Sequence, residues 1–436
     1  MRMNDQIHFC PPARVVIGCG SRHQLPALLA RLGYRSGVLV TDTYFSGSTP
    51  WVREYIDAAA ALGIKTIVFD GGLPDPTTTL CDDATRIVRA HLGGNTPDHV
   101  IALGGGSNID LAKAMCVTLP EGRPVDDFKS AMPAAPHALP LIALPTTAGT
   151  GSEATPGAIL IDPENATKIA VMDNVLRPVI ALIDPEYTYT CPPRVTADSG
   201  IDALTHAVES YLTLDSFDFS RDGHPDPGYS GRSALTMLFA REAIDLCARH
   251  LLRCYHDGSD QEARVGMAYA SHYAALSYGS AGLNAVHGTA YAVAGLTHKT
   301  HGSTNAVMLP YVLDALRETR AEEMVTLARL FGIADADEAR AARRLPAVIR
   351  ALVAELGIPA NLREFGIAEE ELPRLTEDAL AVTRLARAFP VADVPAAYAR
   401  IVRRAWDGVL DADTEADTEA DVVADVEADS EDRTGR

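Results

Sequence analysis

One change of rhythm constrains this chain more than any other feature. Up to Asp184–Pro185, short β-type runs alternate with helical stretches; beyond that dipeptide only helical patterns follow. The strand candidates are Val15–Ile17, Val38–Thr41, Thr66–Phe69, Val100–Leu103, Leu141–Leu144, Ala158–Ile161 and Ile180–Ile183. Helix-like segments such as Gln24–Leu32, Trp51–Leu62 and Thr79–Leu92 lie between them. Such alternation predicts a mostly parallel sheet covered by helices, an α/β domain over residues 1–187. The helical patterns that follow, from Ala197–Leu212 through Val394–Val409, predict an all-α domain over residues 188–410. Within it, residues 215–232 are polar and rich in Gly, Pro and Asp, which reads as a loop inserted between two helices.

The remaining residues, 411–436, hold 11 acids against two arginines and no aromatic group, so a solvated, disordered tail is expected there. That tail supplies much of the net charge of −20, a balance that disfavours binding to nucleic acid or an anionic membrane. No apolar run reaches the ~20 residues of a membrane span, and the N-terminus lacks the apolar core of a secretion signal. Seven scattered cysteines without a CxxC pair point to a reducing cytoplasm and away from disulfides or a thiolate metal site.

Two stretches of the α/β half carry nucleotide chemistry. Leu103–Lys113 reads LGGGSNIDLAK, a strand running through three glycines and a serine into a helix. Gly104, Gly105 and Gly106 let backbone amides approach a pyrophosphate, the helix N-terminus adds its positive dipole end, and Ser107 can donate a hydrogen bond or cap the helix. This turn is not the GxGxxG fingerprint. Pro145–Thr155, PTTAGTGSEAT, packs Thr146, Thr147, Thr150, Ser152 and Thr155 among small residues, where they could line a ribose or nicotinamide. Asp42 closes the strand VLVTD, the place where an acid accepts from a ribose 2′-hydroxyl and repels a 2′-phosphate, which favours NAD over NADP. A helix N-cap is the alternative role for Asp42.

The helical half carries metal chemistry. In SGIDALTHAVES, Asp202 and His206 stand four residues apart, so both leave one face of a helix, either as half of a divalent metal site or as a surface Asp–His pair on an amphipathic helix. His287 and His301, in VHGTAYAVAGLTHKTHG, are 14 residues apart, and one helix followed by a turn could return both to one point.

Taken in order, GGGSNIDLAK, PTTAGTGSE, GIDALTH, VHG and THG resemble the motifs of the iron-containing (group III) alcohol dehydrogenase family over about residues 10–405, outside the 215–232 insert and the acidic tail. The resemblance implies a Rossmann-like α/β domain followed by an all-α domain, the architecture shared with dehydroquinate synthase. It implies Asp202, His206, His287 and His301 as metal ligands, and Gly104–Ser107, Asp110, Thr146, Thr147, Thr150, Thr155 and Lys168 around NAD(H). Asp75 and Ser152 join that cofactor set. The metal implied is Fe2+, with Zn2+ as the alternative, since nitrogen and carboxylate donors suit both. A divalent cation would polarise an aldehyde oxygen while the nicotinamide exchanges a hydride.

Two departures bear on the substrate. Many family members place a histidine four residues after the third ligand; here Tyr291 stands there, as a candidate proton relay or a pocket wall. Lys299, Arg221 and Arg232 could hold an anionic substrate tail, as in reduction of phosphonoacetaldehyde to 2-hydroxyethylphosphonate. Tyr278 and Lys299 are the candidate pocket residues, and His287 and His301 are counted with Tyr291 as catalytic. The expectation is a cytoplasmic, homodimeric or larger, metal- and NAD-dependent alcohol dehydrogenase or aldehyde reductase acting on a small molecule. A cyclase/lyase of the dehydroquinate synthase type and a non-catalytic nucleotide-binding protein are the rival readings.

Overall fold

The computed structural model describes residues 7–129, 137–164, 167–221, 223–411 and 413. The expected acidic tail therefore lies, apart from Asp411 and Asp413, outside the described residues. Eight strands form in chain order: β1 (Arg14–Ile17), β2 (Ser36–Val40), β3 (Lys65–Phe69), β4 (His99–Gly104), β5 (Leu141–Pro145), β6 (Gly157–Asp162), β7 (Thr167–Met172) and β8 (Ile180–Ile183). Helices α1 (Leu25–Leu32), α2 (Thr43–Ser48), α3 (Trp51–Ala61), α4 (Thr78–Leu92) and α5 (Gly106–Glu121) lie between the strands. After β8 come α6 (Pro193–Leu212), α7 (Ala234–His256), α8 (Gln261–Ala281), α9 (Ala285–Thr297), α10 (His301–Ala315), α11 (Ala321–Leu330) and α12 (Glu338–Glu355). The described chain closes with α13 (Leu362–Phe365), α14 (Leu372–Ala381), α15 (Thr383–Ala386) and α16 (Val394–Asp407).

Six strands make one parallel sheet in the order β1-β8-β5-β4-β2-β3. Because side chains alternate across a strand, the sheet feeds two cores. Val38, Val40, Val100, Ala102, Leu141 and Ala143 face the buried sides of α4 and α5. Leu39, Ile101, Leu103, Ile142 and Leu144 meet Leu25 and Leu29 of α1 and Val52 and Ala59 of α3 on the other face. The run Ala158–Ile161 is not part of this sheet. It belongs to β6, which pairs antiparallel with β7 in a separate two-stranded ribbon. β7 is not among the strand candidates, although its residues 169–172 form a short apolar run; its antiparallel pairing with β6 reveals it.

The change from α/β to all-helical structure falls after β8, but the chain's compact units part between Gly282 and Leu283 rather than at residue 187. The physical reason is packing. α6, α7 and α8 pack on one another, and α8 also meets the 3-10 turns Ser152–Ala154 and Pro185–Thr188 of the α/β half. The second unit is helical from α9 to α16, with α9 packed on α10 and α14. The 215–232 loop is pinned at its base, where the Arg232 guanidinium donates to both oxygens of Asp215 and to the Tyr211 carbonyl.

Candidate nucleotide cradle and metal-ligand pairs

In the first unit, β2, β4 and β5 are neighbours whose carboxyl ends lie side by side, the place where a parallel α/β sheet receives its ligand. β4 delivers Gly104 with φ +149°, a conformation that L side chains avoid. Gly105 is the N-cap of α5, so among the described residues no side chain caps this helix from the N-cap position, and Ser107 lies inside its first turn. Ser107 instead accepts the Asp75 amide at 3.3 Å, and Asp75 in turn lies 3.6 Å from the Lys168 ammonium. The hydroxyl-bearing loop rests directly on the turn. A Cβ on Gly106 would lie 2.8 Å from the Thr150 side chain, one on Gly105 would lie 3.6 Å from Thr147, and the Thr146 amide donates to the Gly104 carbonyl at 3.0 Å. A close-fitting backbone cradle at an uncapped helix start fits a dinucleotide pyrophosphate.

Other residues of that set are occupied by the protein itself. Asp110 accepts from the Ser152 hydroxyl and from the Ile159 amide, tying α5 to β6. Burial raises its pKa, with Lys113, Ser152 and the Ile159 amide pulling the other way. Thr155 accepts from Lys113, whose fully buried ammonium also donates to the Gly157 carbonyl at 2.8 Å. Burial brings the Lys113 pKa down to about 8 despite the nearby Asp110. Asp42 caps α2, its Oδ1 accepting the Tyr44 and Phe45 amides, while its Oδ2 accepts from Asn108.

α6 carries the first pair of candidate ligands. It is buried along nearly its whole length from Thr196 to Leu212, and Asp202 and His206 share a face with Oδ1 and Nε2 3.7 Å apart. His206 Nδ1 lies 3.3 Å from the Gly149 carbonyl, which can only accept, so Nδ1 carries a proton there and Nε2 is the ring nitrogen turned toward Asp202. Gly149 reaches that point because it has no side chain: a Cβ there would lie 2.5 Å from the Ser199 carbonyl on α6. Tyr278 stacks on the His206 ring at 4.1 Å between centroids and gives its hydroxyl to the Thr150 carbonyl. Its phenol is buried, which pushes its pKa well above the usual value, and its ring buttresses the histidine.

The second unit carries the other pair. α9 ends at Thr297, His298 turns the chain with φ +52°, and α10 begins at His301. This helix–turn–helix brings the His287 and His301 rings to 5.1 Å between centroids. The buried Asn305 amide, one turn beyond His301, sets its Nδ2 3.1 Å from His287 Nε2 and 3.2 Å from His301 Nε2. Both Nε2 atoms therefore face one point, as ring nitrogens bearing lone pairs for a common cation do. Tyr291 stacks on His301 at 5.6 Å and meets the His287 ring edge-on at 6.2 Å. Lys299 is exposed, with its ammonium 5.7 Å from the Phe365 ring centroid.

Comparison with known proteins decides the family. The family described as iron-containing alcohol dehydrogenase matches residues 12–185, and its C-terminal counterpart matches residues 228–400. A long-chain-alcohol dehydrogenase of Geobacillus thermodenitrificans is 34% identical over 391 residues, covering 88% of this chain and 93% of that one. The chain belongs to the iron-containing alcohol dehydrogenase family. The NAD-dependent methanol dehydrogenase of Bacillus methanolicus is 30% identical over 373 residues, covering 85% of this chain and 92% of the relative. A solved 1,3-propanediol oxidoreductase superposes with a TM-score of 0.83 at 28% identity, over 92% of this chain and 100% of its own. As an iron-containing alcohol dehydrogenase this chain is an oxidoreductase, which sets aside the lyase and non-catalytic readings.

Four residues that the sequence reading left unassigned take part. Lys113 stood in the quoted DLAK, three residues after Asp110 on the same helix face. Asn305 repeats that logic four residues after His301. Asn108 and Gly149 gave no signal, because their value lies in partners distant in sequence.

Proposed function

We propose that Asp202, His206, His287 and His301 jointly hold one divalent cation, and that the enzyme interconverts a small aldehyde and its primary alcohol with NAD(H). Each residue offers one donor atom, a carboxylate oxygen from Asp202 and a ring nitrogen from each histidine. That set suits Fe2+, and Zn2+ equally by chemistry alone. The observation that carries the reading is the pair of Nε2 atoms of His287 and His301 turned to one point beside Asn305. When bound, the cation supplies a Lewis acid for the carbonyl oxygen and the nicotinamide supplies or takes the hydride.

The protein's own part is orientation and proton handling. Gly104, Gly105, Gly106 and Ser107 hold the pyrophosphate, with Asp75 and Lys168 tied to that turn through Ser107. Thr146, Thr147 and Thr150 line the nicotinamide side. Asp110, Ser152 and Thr155 serve the cofactor by fixing the frame on which it lies. Tyr291, packed on both histidine rings, carries the proton itself or orders the water that does. Tyr278 and Lys299 border the substrate. The enzyme works in the cytoplasm, which its seven free cysteines favour, as a homodimer or larger assembly. Among the described residues no helix is long and apolar enough to cross a membrane.

The substrate class is a small aldehyde, with anionic members such as phosphonoacetaldehyde preferred. That preference rests on Lys299, because Arg232 is already committed to Asp215. The test is catalytic efficiency on short neutral aldehydes, succinic semialdehyde and phosphonoacetaldehyde, with wild type and Lys299→Ala. An anionic preference that Lys299→Ala abolishes is expected. Equal efficiency on neutral and anionic aldehydes would sink the preference for an anion.

A further inference from the structure

Asp42 and Asn108 are 66 residues apart and join two structures that a dinucleotide uses together. Asp42 follows β2, where a ribose hydroxyl would be met; Asn108 stands in the first turn of α5, whose start would meet the pyrophosphate. Asn108 is 4% exposed, and its Nδ2 donates to Asp42 Oδ2 at 2.8 Å and to the Leu103 carbonyl at 3.2 Å. Both partners can only accept, so the amide has one chemically sensible orientation. Its space is cut by two glycines: a Cβ on Gly72 would lie 2.2 Å from Asn108 Oδ1, and one on Gly104 would lie 2.2 Å from Nδ2. On the other side Asp42 Oδ1 accepts the Tyr44 amide at 2.9 Å and the Phe45 amide at 3.3 Å. The carboxylate is thus gripped at both oxygens, from α2 by the backbone and from α5 by one side chain.

We infer that Asn108 is a positioning residue that holds Asp42 against the adenosine ribose and so sets the preference for NADH over NADPH. This rests on the dinucleotide reading above. A carboxylate discriminates against a 2′-phosphate only while it cannot turn away from it. The amides at Oδ1 still let the carboxylate tilt about that oxygen, and the Asn108 hydrogen bond at Oδ2 restrains the tilt. An N–H donor to a carboxylate is among the stronger hydrogen bonds a protein makes, so losing it matters for orientation. The bond also couples the two halves of recognition, since the same residue that fixes Asp42 belongs to the turn that meets the phosphates.

Direct binding tests this without turnover. Dissociation constants of NADH and NADPH are measured by nicotinamide fluorescence on the full-length protein. The set is wild type, Asn108→Ala, Asn108→Ser, Asp42→Ala and the Asp42→Ala/Asn108→Ala double variant. The serine variant, whose hydroxyl is too short to reach Asp42, gives the reading if the alanine variant fails to fold. The expected result is tighter NADH binding by wild type and a preference lowered about fivefold to tenfold in either Asn108 variant. Asp42→Ala should erase the preference, and Asn108→Ala should change the ratio less than about twofold in that background. Equal weakening of both cofactors by the Asn108 variants would make Asn108 a packing residue and overturn the inference. So would a ratio that stays at the wild-type value, or an Asp42→Ala variant that still prefers NADH. Wild type that binds neither dinucleotide would remove the cofactor reading itself, and this inference with it.

Discussion

At the scale of single residues, the account turns on which atoms are left to do chemistry. His206 spends Nδ1 on the Gly149 carbonyl, which leaves Nε2 as its donor atom. His287 and His301 turn Nε2 to the same amide nitrogen. Tyr291 packs on both rings, which puts its phenol beside the second candidate pair. We predict that Tyr291→Phe lowers turnover at least about a hundredfold, the lower end for a lost proton-transfer group, and flattens its pH dependence. Turnover equal to wild type at every pH would take Tyr291 out of the proton route. That Asp202 and His206 share a helix face was legible in the sequence, because their four-residue spacing is a direct readout of helix geometry. The supports around the two pairs were not. Asn305 and Gly149 act through orientation and close approach, and neither property has a signature in residue type.

At the scale of elements, the seam between α5 and β6 holds the cradle. Asp110 and Lys113 leave one face of α5 and bond to Ser152, Thr155 and the β6 backbone at Ile159 and Gly157. Burial depresses the Lys113 pKa to about 8 from an ordinary 10.5. Between those values the unfolded chain holds more protons at this site than the folded one, so the stability contributed at Lys113 rises with pH. Below about pH 8 both states carry the proton and the full cost of burying the charge is present. Relative to Lys113→Met, wild type should therefore gain about 2 kcal/mol from pH 7.5 to 9.5, read by denaturant unfolding. A difference that stays constant or shrinks would mean that the lysine keeps an ordinary pKa. The strands of the parallel sheet were legible because each is a short apolar run, buried on both faces in β4, β5 and β8 and half-exposed at the edges in β1 and β3. β7 was not, although residues 169–172 are apolar; its place is visible only through its pairing with β6. α6 and α5 are buried almost all round, so their helical character showed in length and composition more than in an apolar stripe.

At the scale of the whole molecule, the first unit carries the candidate nucleotide cradle and one candidate ligand pair, and the second, helical unit carries the other candidate pair. The change of structural class after β8 was written in the sequence as a change of period. The division of the compact units at Gly282 was not, because it depends on α6–α8 packing back on the α/β half. Membership of the iron-containing alcohol dehydrogenases makes metal-dependent hydride exchange with NAD(H) the central claim. Its most direct test is NADH oxidation, followed by absorbance, with anaerobic Fe2+-loaded protein, chelator-treated protein and an Asp202→Asn variant, using short aldehydes. The account predicts turnover by the loaded enzyme, loss of at least about tenfold on chelation or in the variant, and recovery when Fe2+ is returned to the chelated wild type. Turnover that chelation leaves unchanged, or none with either Fe2+ or Zn2+ on any aldehyde, would contradict it.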